Sequence, residues 1–238
     1  MLKHYGAVVG VVGGITLLQF ANTMLSVVLP LQLALAGYSG TMTGLVVSGY
    51  GVGFLIGCLV TPRLIRDVGH IRAFAVLAAL CSVTSMVFAA GHFVALWLVL
   101  RLLMGFCQAG LFTVVEGWLS AAAPAQARGG VLSFYLVSTK VAIVSGQLLI
   151  GQLGAVSATW FLVAGAVFSL SLIPIALTHT AQPPAPRLEL LGPRELYRLA
   201  PAAVVGCLAS GLLNSALLGL TPIFGTRLGL APSLVVWL

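Results

Sequence analysis

The sequence predicts an all-α polytopic membrane protein, and three observations carry that reading. Hydrophobic residues make up 60% of the chain and charged residues 6%, at a mean hydropathy of +1.15, whereas soluble domains devote about a quarter of their residues to charge. No Lys, Arg, Asp or Glu occurs between Ala7 and Pro62 or between Ala73 and Leu100. A lipid interior selects such runs, because a charge at mid-bilayer costs roughly 2.5–3.5 kcal/mol on insertion scales. Finally, Asn22, Pro30 and Gly37 recur at the same spacings as Asn214, Pro222 and Gly229, so a unit of six spans starts again late in the chain.

A helical span needs about 20 apolar residues. The first runs near 7–35, turns at Gly37-Tyr38-Ser39-Gly40, and is followed by a second near 42–61. The stretch Gly57 to Arg72 then gathers Arg63, Arg66, Asp67, His70 and Arg72. It is expected to be a short loop on the cytoplasmic side, where Lys and Arg accumulate. The third span covers 73–90, Gly91-His92 turns it, and the fourth covers 94–121. An inner loop from Pro124 to Gly130, with Arg128, leads to a fifth span at 131–152 and a sixth at 158–177. His179 to Leu199 is polar and rich in proline and reads as a linker; a seventh span follows at 201–222 and an eighth opens near Gly229. The expected organisation is an N-terminal six-helix bundle over residues 1–178, a cytoplasmic linker over 179–200, and over 201–238 the start of a second bundle, truncated in its second helix.

Alternation of the spans places Lys3, Arg63, Arg66, Arg72, Arg128, Arg187, Arg194 and Arg198 on one side and Arg227 alone on the other. The asymmetry predicts a cytoplasmic N-terminus in a bacterial-type inner (plasma) membrane. Lys3 and the Ala34-Leu35-Ala36 triplet imitate a signal peptide, but the apolar run to Leu33 exceeds the roughly 7–15 residues of a signal core. The net charge of +7 is spread over short segments, which argues against a nucleic-acid partner. Cys58, Cys81, Cys107 and Cys207 show no metal-binding spacing, so neither metal nor cofactor is expected. There is no P-loop, H-E-x-x-H or G-x-S-x-G, and His4, His70, His92 and His179 fall in loops or at span ends. An enzyme is not expected.

Helical phase groups the polar residues within the spans. In the fourth, Arg101, Gly105, Gln108 and Glu116 fall within about 80° at 100° per residue. In the fifth, Ser133, Lys140 and Gln147 share a stripe; in the first, Gln19, Thr23 and Ser26 do, with Asn22 at the edge, and Asn214 repeats Asn22. Spans one, four and five would then line a wet cavity while three and six face lipid or brace the rest. Arg101 and Lys140 are intramembrane cations, for which the default reading is functional, and they point to an anionic or polar small solute. Glu116 lies about 22 Å from Arg101 along the axis at 1.5 Å per residue. It is expected near the basic segment and Arg128, as a salt bridge that closes the inner mouth or as a static pair. Gly49, Gly53 and Gly57 recur every four residues, a spacing that lets a second helix approach closely.

These features resemble the major facilitator superfamily. Its signature loop, Gly-x-x-x-Asp-Arg-x-Gly-Arg-Arg/Lys, is matched in part: Gly69 takes the inner glycine, Arg66-Asp67 reverses the Asp-Arg pair, Pro62 replaces the leading glycine and His70-Ile71-Arg72 the basic end. Arg101 followed by Gly105, Ala109 and Gly110 is similar to the family's fourth-span arginine with its small residues. Gly146 precedes Gln147 rather than the proline that marks drug/proton antiporters. The resemblance implies a secondary active transporter working by alternating access, spans one, two, four and five of each half lining the cavity and a proton or ion as the coupling species. It assigns Arg63, Arg66, Asp67, Gly69 and Arg72 to the family's inner motif loop, beside which the position of Glu116 and Arg128 suggests a gate. A half-size porter or channel acting as a dimer, and a receptor on the same fold, are the alternatives.

Overall fold

A computed structural model describes residues 2–91, 93–123, 126–153, 157–178 and 192–229. They form helices α1 (Leu2–Leu35), α2 (Gly40–Val68), α3 (His70–Phe88), α4 (Val94–Ala122), α5 (Arg128–Leu153), α6 (Thr159–Leu170), α7 (Leu172–Ala176), α8 (Pro193–Leu199) and α9 (Pro201–Arg227). Among the described residues six segments are long and apolar enough to cross a bilayer: α1 to α5 singly, and α6 with α7 as one span. Ser171 separates that last pair, its hydroxyl donating to the Phe168 carbonyl at 2.7 Å.

The basic segment is not the loop expected. α2 continues through Pro62 to Val68, so Arg63, Arg66 and Asp67 ride its last turns, and His70 and Arg72 open α3. Only Gly69 lies between them, at φ +83, a left-handed backbone that glycine adopts without steric cost. Charge ends the contact with lipid, not the helix. Pro62 removes only the helical bond to the Cys58 carbonyl, and the next residue's guanidinium, Arg63, donates to the Leu59 carbonyl at 3.3 Å. Arg128 likewise belongs to the first turn of α5 rather than to a loop.

α4 is the hub of the bundle. Its largest interface is with α2; α3 packs against α4 and α6, and α1 against α5 and α6. Three rings lock α3, α4 and α6: Phe88, Trp97 and Phe161 lie 5.4–5.6 Å apart. The hydroxyls of α3 join it to α6, Ser85 donating to the Phe161 carbonyl at 2.7 Å and Ser82 to that of Gly165 at 2.8 Å.

The late repeat has a backbone counterpart. α1 ends at Leu35 and Gly37 turns at φ +82; α9 ends at Arg227 and Gly229 turns at φ +72, the same two-residue offset. α9 touches α1 and α2 only lightly. The eighth span and the proline-rich part of the linker lie outside the described residues; Pro193–Leu199 of the expected linker is the short helix α8.

Candidate functional site

The polar centre is built on the α2–α4 contact. A Cβ at Gly53 would fall on the Leu102 backbone carbonyl, one at Gly105 on that of Tyr50, and one at Gly57 within 2.5 Å of the Phe106 carbonyl oxygen. A Cβ at Gly49 would meet first the Leu98 side chain, at 2.8 Å, and then its carbonyl oxygen at 3.3 Å. Small residues that permit backbone contact are the means by which helices associate in lipid. Here they also set side chains of the two helices against each other.

One such side chain is Arg101, 3% exposed. Its guanidinium stands over the Tyr50 ring, 5.7 Å from the centroid, an arrangement in which the ring's negative face meets the cation. The Asn22 amide of α1 faces the Tyr50 hydroxyl. Helices α1, α2 and α4 therefore converge on one cation. Sequence reading missed Tyr50, although it adjoins Gly49 and shares the face that the glycines bring to α4.

Among the described residues several buried polar atoms lack partners: Nε of Arg101 and both amide atoms of Gln108 on α4, Oδ1 of Asn22 and Oε1 of Gln19 on α1, and, further along, Oγ1 of Thr61 and Nε1 of Trp118. Gln108 is wholly buried, two turns from Arg101 on the same face of α4. An unsatisfied buried polar group costs about 1–3 kcal/mol, and native proteins keep few of them. Thr23 is buried as well, but its hydroxyl donates to the Gln19 carbonyl of its own helix at 2.9 Å. Ser26 is exposed.

The fifth-span stripe does not join them. α5 packs through Tyr135, Thr139, Ala142, Gly146 and Ile150, and a Cβ at Gly146 would lie 3.0 Å from the Phe20 carbonyl oxygen of α1. Ser133 and Lys140 are exposed and Gln147 is half-buried. They share a face, as phase requires, but it is turned away from the one that meets α1. The side chain of Asn214, in α9, lies outside the described residues.

Glu116 also departs from expectation. Among the described residues the one salt bridge joins neighbours Arg66 and Asp67 at 3.1 Å, both exposed, and the Arg128 Nε donates to the Ala123 carbonyl at 3.4 Å. Glu116 instead accepts the Tyr135 hydroxyl at 3.3 Å. Its side of α4 meets α5, while a different side carries Trp118, whose ring meets His70 of α3 at 6.4 Å. Among the described residues no cluster of His, Cys, Asp or Glu is suited to hold a metal.

Six apolar spans packed on a hydrophobic core that holds a few buried polar side chains define a multi-pass integral membrane protein. The sequence matches the Major Facilitator Superfamily over residues 11–238, and the chain belongs to that family of membrane transporters. It is 29% identical over 231 residues to an uncharacterized MFS-type transporter of Enterobacter sp. (strain 638), covering 92% of this chain and 58% of the relative. It has the same identity and coverage with the uncharacterized MFS-type transporter YcaD of Escherichia coli. The chain thus spans a little over half the length of these relatives. The fold is similar to that of a bacterial homologue of the human lysosomal transporter Spinster in an inward-facing, unoccupied conformation, at TM-score 0.76 and 16% identity over 98% of this chain and 58% of that one. It is also similar to the nucleoside transporter NupG, at TM-score 0.71 and 10% identity over 93% and 58%.

Proposed function

We propose that this chain provides one half, and the start of the other, of a secondary active transporter that carries a small polar or anionic solute by alternating access. Residues 1–178 would form the first half, 179–200 the linker and 201–238 the beginning of the second. The observation that carries the reading is the set of buried polar atoms on α1 and α4 that lack partners among the described residues, Nε of the stacked Arg101 among them. Their cost is recovered when a solute supplies the missing partners, and a guanidinium is suited to a carboxylate or phosphate. The family supports the same reading, and NupG is by its name a nucleoside transporter.

Arg101, Gln108, Gln19 and Asn22 would hold the solute, with Asn214 contributing from the second half. Lys140 and Gln147 would meet it only if the second half brings it to α5. Arg63, Arg66, Asp67, Gly69 and Arg72, with Arg128, would act at the inner mouth, and the excess of basic residues there supports a cytoplasmic N-terminus in an inner membrane. A proton or ion would couple the cycle.

The test is uptake into proteoliposomes of the full gene product, with small organic anions and neutral sugars as solutes. Arg101→Gln removes charge-assisted hydrogen bonds of about 1.5–3 kcal/mol and is expected to lower anion uptake roughly 10- to 100-fold. Arg101→Lys keeps the charge but loses the planar stack on Tyr50, so part of the uptake should survive. Equal losses for anionic and neutral solutes would defeat the charge assignment.

A further inference from the structure

α3 and α4 run antiparallel, and three contacts fix their register. His70 meets Trp118 with ring centroids 6.4 Å apart, a Cβ at Gly110 would lie 2.5 Å from Cδ1 of Leu77, and Phe88 meets Trp97 at 5.4 Å. Partner numbers fall on α4 as they rise on α3, almost one for one, so Cys81 lies opposite the turn that carries Cys107. The side chains complete the juxtaposition. Both cysteines are free and wholly buried, and the Cys81 thiol faces that of Cys107. We propose that the two form a redox staple, a dithiol that a small hydroperoxide closes to a disulfide, tying α3 to α4.

The chemistry needs no other group. One thiolate attacks a peroxide oxygen, the O–O bond breaks, and the sulfur becomes a sulfenic acid; the hydroxide that leaves takes up the thiol proton as a first water. The second sulfur then attacks the sulfenic sulfur. An S–S bond forms, the S–O bond breaks, and the hydroxyl departs with the second thiol proton as a second water. Two thiols lose two electrons and one peroxide is reduced. A cysteine with no second thiol at hand climbs on to irreversible acids. Here the resolving sulfur is in place, and the pair has only to close to a bond of about 2.05 Å.

Placement admits the oxidant and shelters the product. Cys81 also adjoins Tyr50, whose ring carries Arg101, so the dithiol borders the polar centre, the side by which a molecule as small as hydrogen peroxide enters. Both residues sit near the middle of their spans, away from the glutathione that keeps cytosolic thiols reduced. The bond would fasten a bracing helix to the helix that bears Arg101 and Gln108. It does not depend on what the Arg101 centre carries.

The experiment is oxidation of the full gene product carrying Cys58→Ser and Cys207→Ser, which removes the two exposed thiols described here. After treatment with hydrogen peroxide, remaining thiols are blocked in denaturant and the peptides are read by mass. The expected result is a peptide pair joined through Cys81 and Cys107, with a melting temperature raised by a few degrees because a cross-link constrains the unfolded chain, both reversed by dithiothreitol. Adding Cys107→Ala should abolish the link and the rise together. Recovery of either cysteine as a sulfinic acid would overturn the staple, as would recovery of both as thiols after an exposure that oxidises Cys58 in the parent protein. A link that left the melting temperature unchanged would overturn it too. Because the readouts are covalent state and melting, a failed uptake assay does not bear on them.

Discussion

Gln108→Met should raise the melting temperature of the protein and abolish its solute uptake. Gln108 is wholly buried and, among the described residues, neither amide atom has a partner. Methionine has nearly the same length and shape without the polar head. Removing an unsatisfied buried group regains part of its cost of about 1–3 kcal/mol, and each kcal/mol is worth about 2–4 °C in a chain of this size. A residue kept against stability is the pattern of a functional site. Gln152, exposed near the end of α5, is the control: Gln152→Met should change neither quantity. The measurement is a paired melting curve and uptake assay. A stability loss at Gln108 would instead mean that the amide is satisfied structurally, and its place in the solute site would be withdrawn.

Alanine at either contact glycine, Gly53 or Gly105, should cost the protein its folded, monodisperse state. The added methyl meets a backbone carbonyl of the facing helix, Leu102 in one case and Tyr50 in the other. A carbonyl cannot rotate away as a side chain does. Overpacking of this kind costs about 1–3 kcal/mol and sometimes more, applied here to the largest interface of the bundle. Gly51→Ala makes the sign of the argument testable, since nothing lies within 4 Å of a Cβ there. It should gain up to about 1 kcal/mol of helix propensity. Size-exclusion profiles and melting curves of the three variants separate the outcomes. Equal behaviour at positions 51, 53 and 105 would refute close α2–α4 packing.

The spans were legible because lipid excludes charge, and that constraint acts on composition directly. Helix ends were harder to read. Arg63 to Arg72 looked like a loop because its residues are polar, yet a helix continues past a membrane surface where its backbone bonds are still made, and only Gly69 departs from it. Phase correctly placed Ser133, Lys140 and Gln147 on one face of α5. It does not say which way a face turns, and the small residues around Gly146 decide that this other side meets α1. Glu116 shows the same limit: counting charges offered it Arg128, whereas the bundle gives it Tyr135, an uncharged residue seven positions into α5. Tyr50 was invisible to a search for charged and amide side chains, although its ring is what holds Arg101.

Alternating access is the central claim, and thiol accessibility at Ser26 tests it most directly. Ser26 is exposed on α1, one turn beyond Asn22. Ser26→Cys, in a full-length background with the exposed Cys58 and Cys207 replaced by serine, would be treated with an impermeant maleimide from each side of sealed vesicles. Labelling is expected from both sides, with solute raising the rate on one and lowering it on the other. Labelling from one side alone, unchanged by every solute tested, would contradict the account.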